Sequence, residues 1–111
     1  MSEPQELLLA RTADGITTVS LPPHALDERC IETTRERLFA LADGVFDGDL
    51  HLDCARIAYL GSISLGLLMA LHRRVALTKG HLVLLNVPQD LLGVFRLTRL
   101  DTILDVRPAS A

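Results

Sequence analysis

A chain of 111 residues has room for one domain, and its 49% hydrophobic and 23% charged content is that of a globular fold, not a disordered one. Its formal net charge of −3, from 14 acids and 11 bases, lacks the basic excess of a nucleic-acid binder. Arg73-Arg74 and the spaced Arg96 and Arg99 read as surface arginines on amphipathic helices.

The start, Met1 to Glu6, is acidic where a secretory signal needs bases. The longest apolar stretch, Leu65 to Leu71, is far short of the ~20 residues that span a bilayer. Cys30 and Cys54 are too sparse for a disulfide framework. The expectation is a reduced, cytoplasmic chain with no direct nucleic-acid contact and no membrane insertion, forming a single domain over 1–111 with a core at about 6–107 and short flexible ends.

Two apolar-rich runs, Glu6 to Thr12 and Ile16 to Leu21, flank Ala13-Asp14-Gly15, a hairpin signal because glycine accepts the positive φ of a tight turn. Pro22-Pro23 ends the second strand. From Leu26 to Ala42 the spacing of Ile31, Thr34, Leu38 and Leu41 predicts a helix capped near Asp27 and stopping at Gly44. An acidic, glycine-containing loop follows over Asp43 to Asp49. Leu50 to Cys54 reads as a strand, continued after a kink by Ile57 to Leu60.

Gly61 breaks that run, and Ser62 or Ser64 stands where a helix N-cap belongs. The helix runs to about Thr78 and stops at Gly80, and its first half is apolar nearly all round, so Leu67, Leu68 and Met69 face either a core or a second copy. His81 to Val87 has the near-continuous apolarity of a central parallel strand. Pro88 suits the first turn of a helix whose inward stripe is Leu91, Val94, Phe95 and Thr98, and Thr102 to Val106 closes as a strand before a loose tail from Pro108. The order ββαβαβαβ predicts an α/β fold: a mixed, mostly parallel sheet of four to five strands flanked by helices.

Catalytic patterns are largely missing. No serine in Gly61-Ser62-Ile63-Ser64-Leu65-Gly66 has glycine two positions away on both sides, so the nucleophile elbow fails. The two glycines are followed by Leu67-Leu68, not by the lysine and hydroxyl of a P-loop. His24, His51, His72 and His81 form no metal-binding spacing, so neither metal nor cofactor is expected. Two hydroxyls flanking Ile63 exceed what a simple cap requires. A phosphate there would sit near helix-start amides that favour negative charge, while adding about two charges to any docked interface.

From Leu7 to Val106 the chain resembles a STAS domain, the family of bacterial anti-sigma-factor antagonists. The resemblance is carried by Leu50-His51-Leu52-Asp53-Cys54 through Leu60-Gly61-Ser62-Ile63-Ser64-Leu65-Gly66-Leu67-Leu68. It is extended by Lys79-Gly80-His81-Leu82-Val83-Leu84 and by Leu92 to Asp101. The family opens this helix with Asp-Ser-Ser/Ala-Gly-Leu-Gly; here the Asp is Gly61, the second Ser or Ala is Ile63 and the following Gly is Ser64.

The resemblance implies a non-enzymatic regulatory module. It would dock a kinase-type anti-sigma factor through Gly61, Ser62, Ile63, Ser64, Leu65 and Leu68, with Ser62 as the phosphoacceptor that switches docking off. The absent carboxylate at Gly61 keeps a second expectation alive: an unphosphorylated STAS scaffold or subunit of a signalling or lipid-transport complex. A small serine hydrolase using Ser62 or Ser64 is the remote third.

Overall fold

The hairpin of the computed structural model forms at the Asp-Gly step, where Asp14 (φ 54°) and Gly15 (φ 78°) both take the positive φ of a type I′ turn. It joins β1 (Leu9–Ala13) to β2 (Ile16–Ser20) with Ala13 opposite Ile16. The structure describes residues 9–44 and 48–109, so the expected strand start at 6–8, the centre of the acidic loop at 45–47 and the last two residues lie outside it.

The chain continues through α1 (Ile31–Asp43), β3 (Asp49–Asp53), α2 (Ser62–Leu77), β4 (Leu82–Val87), α3 (Gln89–Leu97), a single 3-10 turn (Leu100–Thr102) and β5 (Asp105–Pro108). The five strands lie side by side in chain order, with β1 antiparallel to β2 and every later pair parallel. Successive parallel strands added in one direction through same-handed crossovers put their helices on one face of the sheet. The burial pattern agrees. Thr17 and Val19 of β2, Leu50 and Leu52 of β3, and Leu82 and Leu84 of β4 point into the core with Leu38, Leu68, Leu71, Val75 and Phe95 from the helices. The opposite face carries half-buried Thr18, His51 and Asp53 and exposed Asp105. Val83, on the opposite face of β4, is buried too, in keeping with the near-continuous apolarity of this strand.

Several boundaries differ from the sequence expectation. The predicted start of α1 at Leu26 moves to Ile31. Residues 23–30 form linked turns, in which the Asp27 carboxylate accepts from the amides of Arg29 (3.0 Å) and Cys30 (3.2 Å). Ala25 and Leu26 are buried because these turns pack on the core, which mimics a helical stripe. Ile57 to Leu60 is not strand; Ile57 is a buried plug in a loop. In α3, Leu92 takes the inward place given to Thr98, which is exposed. The last strand is displaced towards the C-terminus: Pro108 belongs to it, and Ala109 donates its amide to the Val87 carbonyl at 3.0 Å.

The sequence places the stop of α2 at Gly80. The residue with positive φ is instead Lys79 (φ 64°), and the end is a Schellman motif. Gly80 N–H donates to Val75 O (3.1 Å) and Lys79 N–H to Ala76 O (3.0 Å). Gly80 is needed for space: a Cβ there would collide with the Gly48 carbonyl oxygen and lie 3.0 Å from Val75 Cγ1.

Candidate functional site

The site is built where β3 ends. The Asp53 carboxylate accepts from the Ala55 amide (3.1 Å) and from Asn86 Nδ2 (3.2 Å), turning the chain away from the sheet. Asn86 reaches it from a bulge in β4 where its own φ is 55°. Cys54 N–H donates to Leu85 O at 2.8 Å, and Ala58 N–H reaches Pro23 O at 3.4 Å. The loop is thereby pinned to the sheet edge and to the turns before α1. Burial, helped by the neighbouring Asp53 charge, pushes the Cys54 thiol up to about 12, so this cysteine is a protonated core group.

The chain then enters α2 through Gly61, an N-cap in extended conformation (φ −121°, ψ −175°) with no side chain to cap the helix. Ser62 is the first helical residue and is exposed. Ile63 follows at 63% exposure, and nearby Tyr59 is exposed as well. No acidic residue stands in the first turn of α2, so the positive end of the helix dipole is not offset by its own sequence.

Ser64 faces the other way. It is 1% exposed, its Oγ accepts from the Gly61 amide (3.1 Å) and its hydroxyl donates to the Leu26 carbonyl (2.7 Å). One buried hydroxyl thus closes the helix start and ties it to the turns before α1. This corrects two sequence expectations: Ser64 is neither the N-cap nor a surface contact, and Leu68, 1% exposed, is a core residue that no partner can touch. Gly61 and Leu65 are half-buried, so the exposed part of the expected set is Ser62 and Ile63, edged by Gly61 and Leu65. Leu67 and Leu68 are core residues and Met69 packs against them.

Beside Ser62 lies a hollow of about 60 Å³ lined by Leu26, Glu28, Ile31 and Tyr59 together with Gly61 to Ser64. Sequence reasoning missed its first four members. Leu26, Glu28 and Ile31 arrive through the tertiary Ser64–Leu26 bond and carry no local signal. Tyr59 had one: it is the only tyrosine of the chain, two residues before Gly61. The outer half of its ring lies on Gly61. A Cβ at 61 would collide with the phenol oxygen and come within 3.0 Å of Cζ and 3.3 Å of Cε2.

A family model described as "Mlab, STAS domain" matches residues 17–105. The chain belongs to the STAS family. Solved structures agree on the fold. A STAS domain protein from Planctomyces limnophilus superimposes with a TM-score of 0.81 at 18% identity, covering 93% of this chain and 91% of its own. An anti-sigma factor antagonist from Mycobacterium paratuberculosis gives 0.78 at 21% identity, covering 97% and 91%. The Bacillus cell fate determinant SpoIIAA in its phosphorylated form gives 0.67 at 18% identity, covering 90% of each chain. No curated protein matches the sequence. Among the described residues of this STAS domain, no helix is long and apolar enough to cross a membrane, and no three His, Cys, Asp or Glu side chains are grouped to hold a metal.

Proposed function

We propose that this STAS domain is a regulatory docking module of the anti-sigma-factor-antagonist type, that it engages a kinase-type anti-sigma factor through the start of α2, and that Ser62 is its switch. The observation that carries the reading is the exposure of Ser62 and Ile63 side by side at a helix start whose N-cap, Gly61, has no side chain, on the rim of a hollow. Ile63 and Tyr59, exposed together on the lining of that hollow, favour contact with another protein more than a lone apolar side chain would. The hydroxyl next to it is where a phosphate, with its roughly −1.5 to −2 charge at pH 7, would oppose a docked surface while leaving its own helix unharmed. The family match and the phosphorylated state of the similar Bacillus protein support this assignment. A cytoplasmic location follows from such a partner.

A second reading, a constitutive scaffold or subunit of a signalling or lipid-transport complex, is favoured by Gly61. The carboxylate that precedes the serine in other family members is replaced by a glycine under the Tyr59 ring. Incubation with a kinase-type anti-sigma factor and ATP, read by intact mass, separates the two. The switch predicts one added phosphate that disappears in Ser62→Ala, and loss of partner binding in Ser62→Asp. Partner binding with no phosphate gained supports the scaffold, and a Ser62→Asp protein that binds as tightly as wild type removes the switch.

A further inference from the structure

The first ten residues of α2, Ser62 to Leu71, include no charged side chain. Ser64, Leu67, Leu68, Leu71 and Val75 carry one face of the helix into the core. Away from that face stand Ile63 and Leu77, exposed by 63% and 81%. Ala70, half-buried, lies midway between them, with exposed Gly66 and Arg73 beside the line. A spacing of seven residues is close to two full turns, so Ile63, Ala70 and Leu77 form a nearly straight apolar seam along the helix. The seam has a small centre and two large ends, each about 10 Å from Ala70. An added Cβ at Gly66 would meet nothing within 4 Å, so no contact inside this chain requires that position to be bare.

A seam that is alike from its centre to either end fits an antiparallel copy of itself. When two α2 helices cross at Ala70, Ile63 of each chain lies level with Leu77 of the other, and the small central residues let the backbones approach. Charge follows the same symmetry. The first turn of α2 has no acidic residue, and the antiparallel copy sets the negative pole of its helix dipole against it. The same register brings Lys79, just past the helix end, level with Gly61 of the other chain, where Glu28 shares the lining of the hollow. Glu28 and Lys79 are both exposed and make no ion pair among the described residues. Arg74, the base in the last turn, is already held by Asp43 at 2.9 Å. We propose that the protein pairs with a second copy of itself through the exposed face of α2, antiparallel about Ala70, with Ile63 packed on Leu77 and Glu28 opposite Lys79 at each end. One helix pair falls short of the roughly 800 Å² per partner of a stable complex, so the pairing is transient. It does not rest on the docking reading, but it bears on it. A paired chain has no free Ile63 to offer an anti-sigma factor, so self-association and docking exclude each other.

The test uses the protein alone, by sedimentation equilibrium over about 10 µM to 1 mM, the range of a transient complex. The expected result is a mean mass that rises from 12.2 kDa towards twice that value with concentration. Leu77→Lys alters a side chain 81% exposed, so it leaves the core intact, and it should weaken association about ten-fold or more. Ala70→Glu sets two carboxylates face to face at the crossing and should abolish association while the circular dichroism spectrum is retained. Should that variant fail to fold, Leu77→Lys and a charge exchange decide. Glu28→Lys and Lys79→Glu should each weaken association about five-fold, because the pair occurs twice in the dimer. Together they should restore it to within about two-fold of wild type, which only the antiparallel register predicts. A protein monomeric at about 1 mM, an association unmoved by Leu77→Lys, or a double exchange no stronger than either single variant overturns the proposal. Neither anti-sigma factor nor ATP is present, so failure here is distinguishable from failure of the Ser62 switch in the mass measurement.

Discussion

The Ser64 hydroxyl donates to the Leu26 carbonyl at 2.7 Å across 38 residues of sequence, while its oxygen accepts from the Gly61 amide at 3.1 Å. Both bonds are made by a side chain 1% exposed, so water cannot replace them. Leaving a buried donor and acceptor unmatched costs about 1–3 kcal/mol. Ser64→Ala should therefore lower the unfolding free energy by about that much in urea denaturation. It should also speed hydrogen exchange at Gly61 and in the turns around Leu26 more than in the distant hairpin. A Ser64→Ala protein as stable as wild type, with unchanged exchange, would show that the bond does not organise the site.

The same residue shows how much of the site was legible in the sequence. Ser62 and Ser64 share a residue type and sit two apart. On a helix that spacing sends one outward and one inward, but which is which depends on where the first turn begins. With Gly61 as N-cap, Ser62 is exposed and Ser64 buried, and Leu68, one turn beyond Ser64, is buried with it. The order of elements and the mixed, mostly parallel sheet were readable because Asp14-Gly15 needs positive φ and because β4 is apolar over most of its length. The late start of α1 was not, since Ala25 and Leu26 are buried by contacts distant in sequence and their spacing imitates a helix. Nor was the bulge at Asn86, whose positive φ no local pattern announced.

Glycines in this fold separate into those that fill a need and those that do not. At Gly80 a Cβ would meet the Gly48 carbonyl and lie 3.0 Å from Val75 Cγ1, and a backbone group cannot rotate aside. Gly66 and Gly93 sit within α2 and α3 with nothing inside 4 Å of an added Cβ. Gly80→Ala should cost about 1–3 kcal/mol, the range for overpacking a tight contact. Gly66→Ala and Gly93→Ala should each stabilise by roughly 0.5–1 kcal/mol, because alanine restricts the unfolded chain and suits a helix interior. Thermal melts of the three single variants check the signs, and a Gly80→Ala protein that melts at or above wild type contradicts the contact.

Lys79 supplies a converse case. It carries the αL conformation of the Schellman motif at the end of α2, with φ 64°. A residue with a Cβ pays roughly 1–2 kcal/mol for that conformation. Lys79→Gly removes this strain, and glycine's greater freedom in the unfolded chain returns about 0.4–1 kcal/mol of the gain. The net expectation is a protein more stable by roughly 0.5–1 kcal/mol, while Lys79→Val, β-branched in the same position, should be less stable than wild type. Denaturation of both variants reads the difference directly, and a Lys79→Val protein as stable as Lys79→Gly would mean that αL strain is not what limits this helix end.

The alkaline limit of stability should belong in good part to Cys54. Burial first, and the adjacent Asp53 charge second, raise its thiol from 9.0 to about 12 in the folded protein. The folded state therefore holds this proton more tightly than the unfolded chain does. Its contribution is complete below the unfolded value near 9 and is lost as pH rises from there through about 12. Across three pKa units the loss is on the order of 4 kcal/mol. Cys54→Ala removes the titration along with the Sγ–H donated to Leu52 O, so it should be less stable at pH 7 yet lose less on going from pH 8.5 to 11. Urea midpoints of both proteins over that range measure the difference in slope. In the native protein Cys54 should also resist a disulfide exchange reagent at pH 8 and react fully once denatured. Rapid labelling of Cys54 in the folded state, or parallel pH profiles for the two proteins, would mean that the thiol is not the buried, protonated group at the end of β3 on which this slope depends.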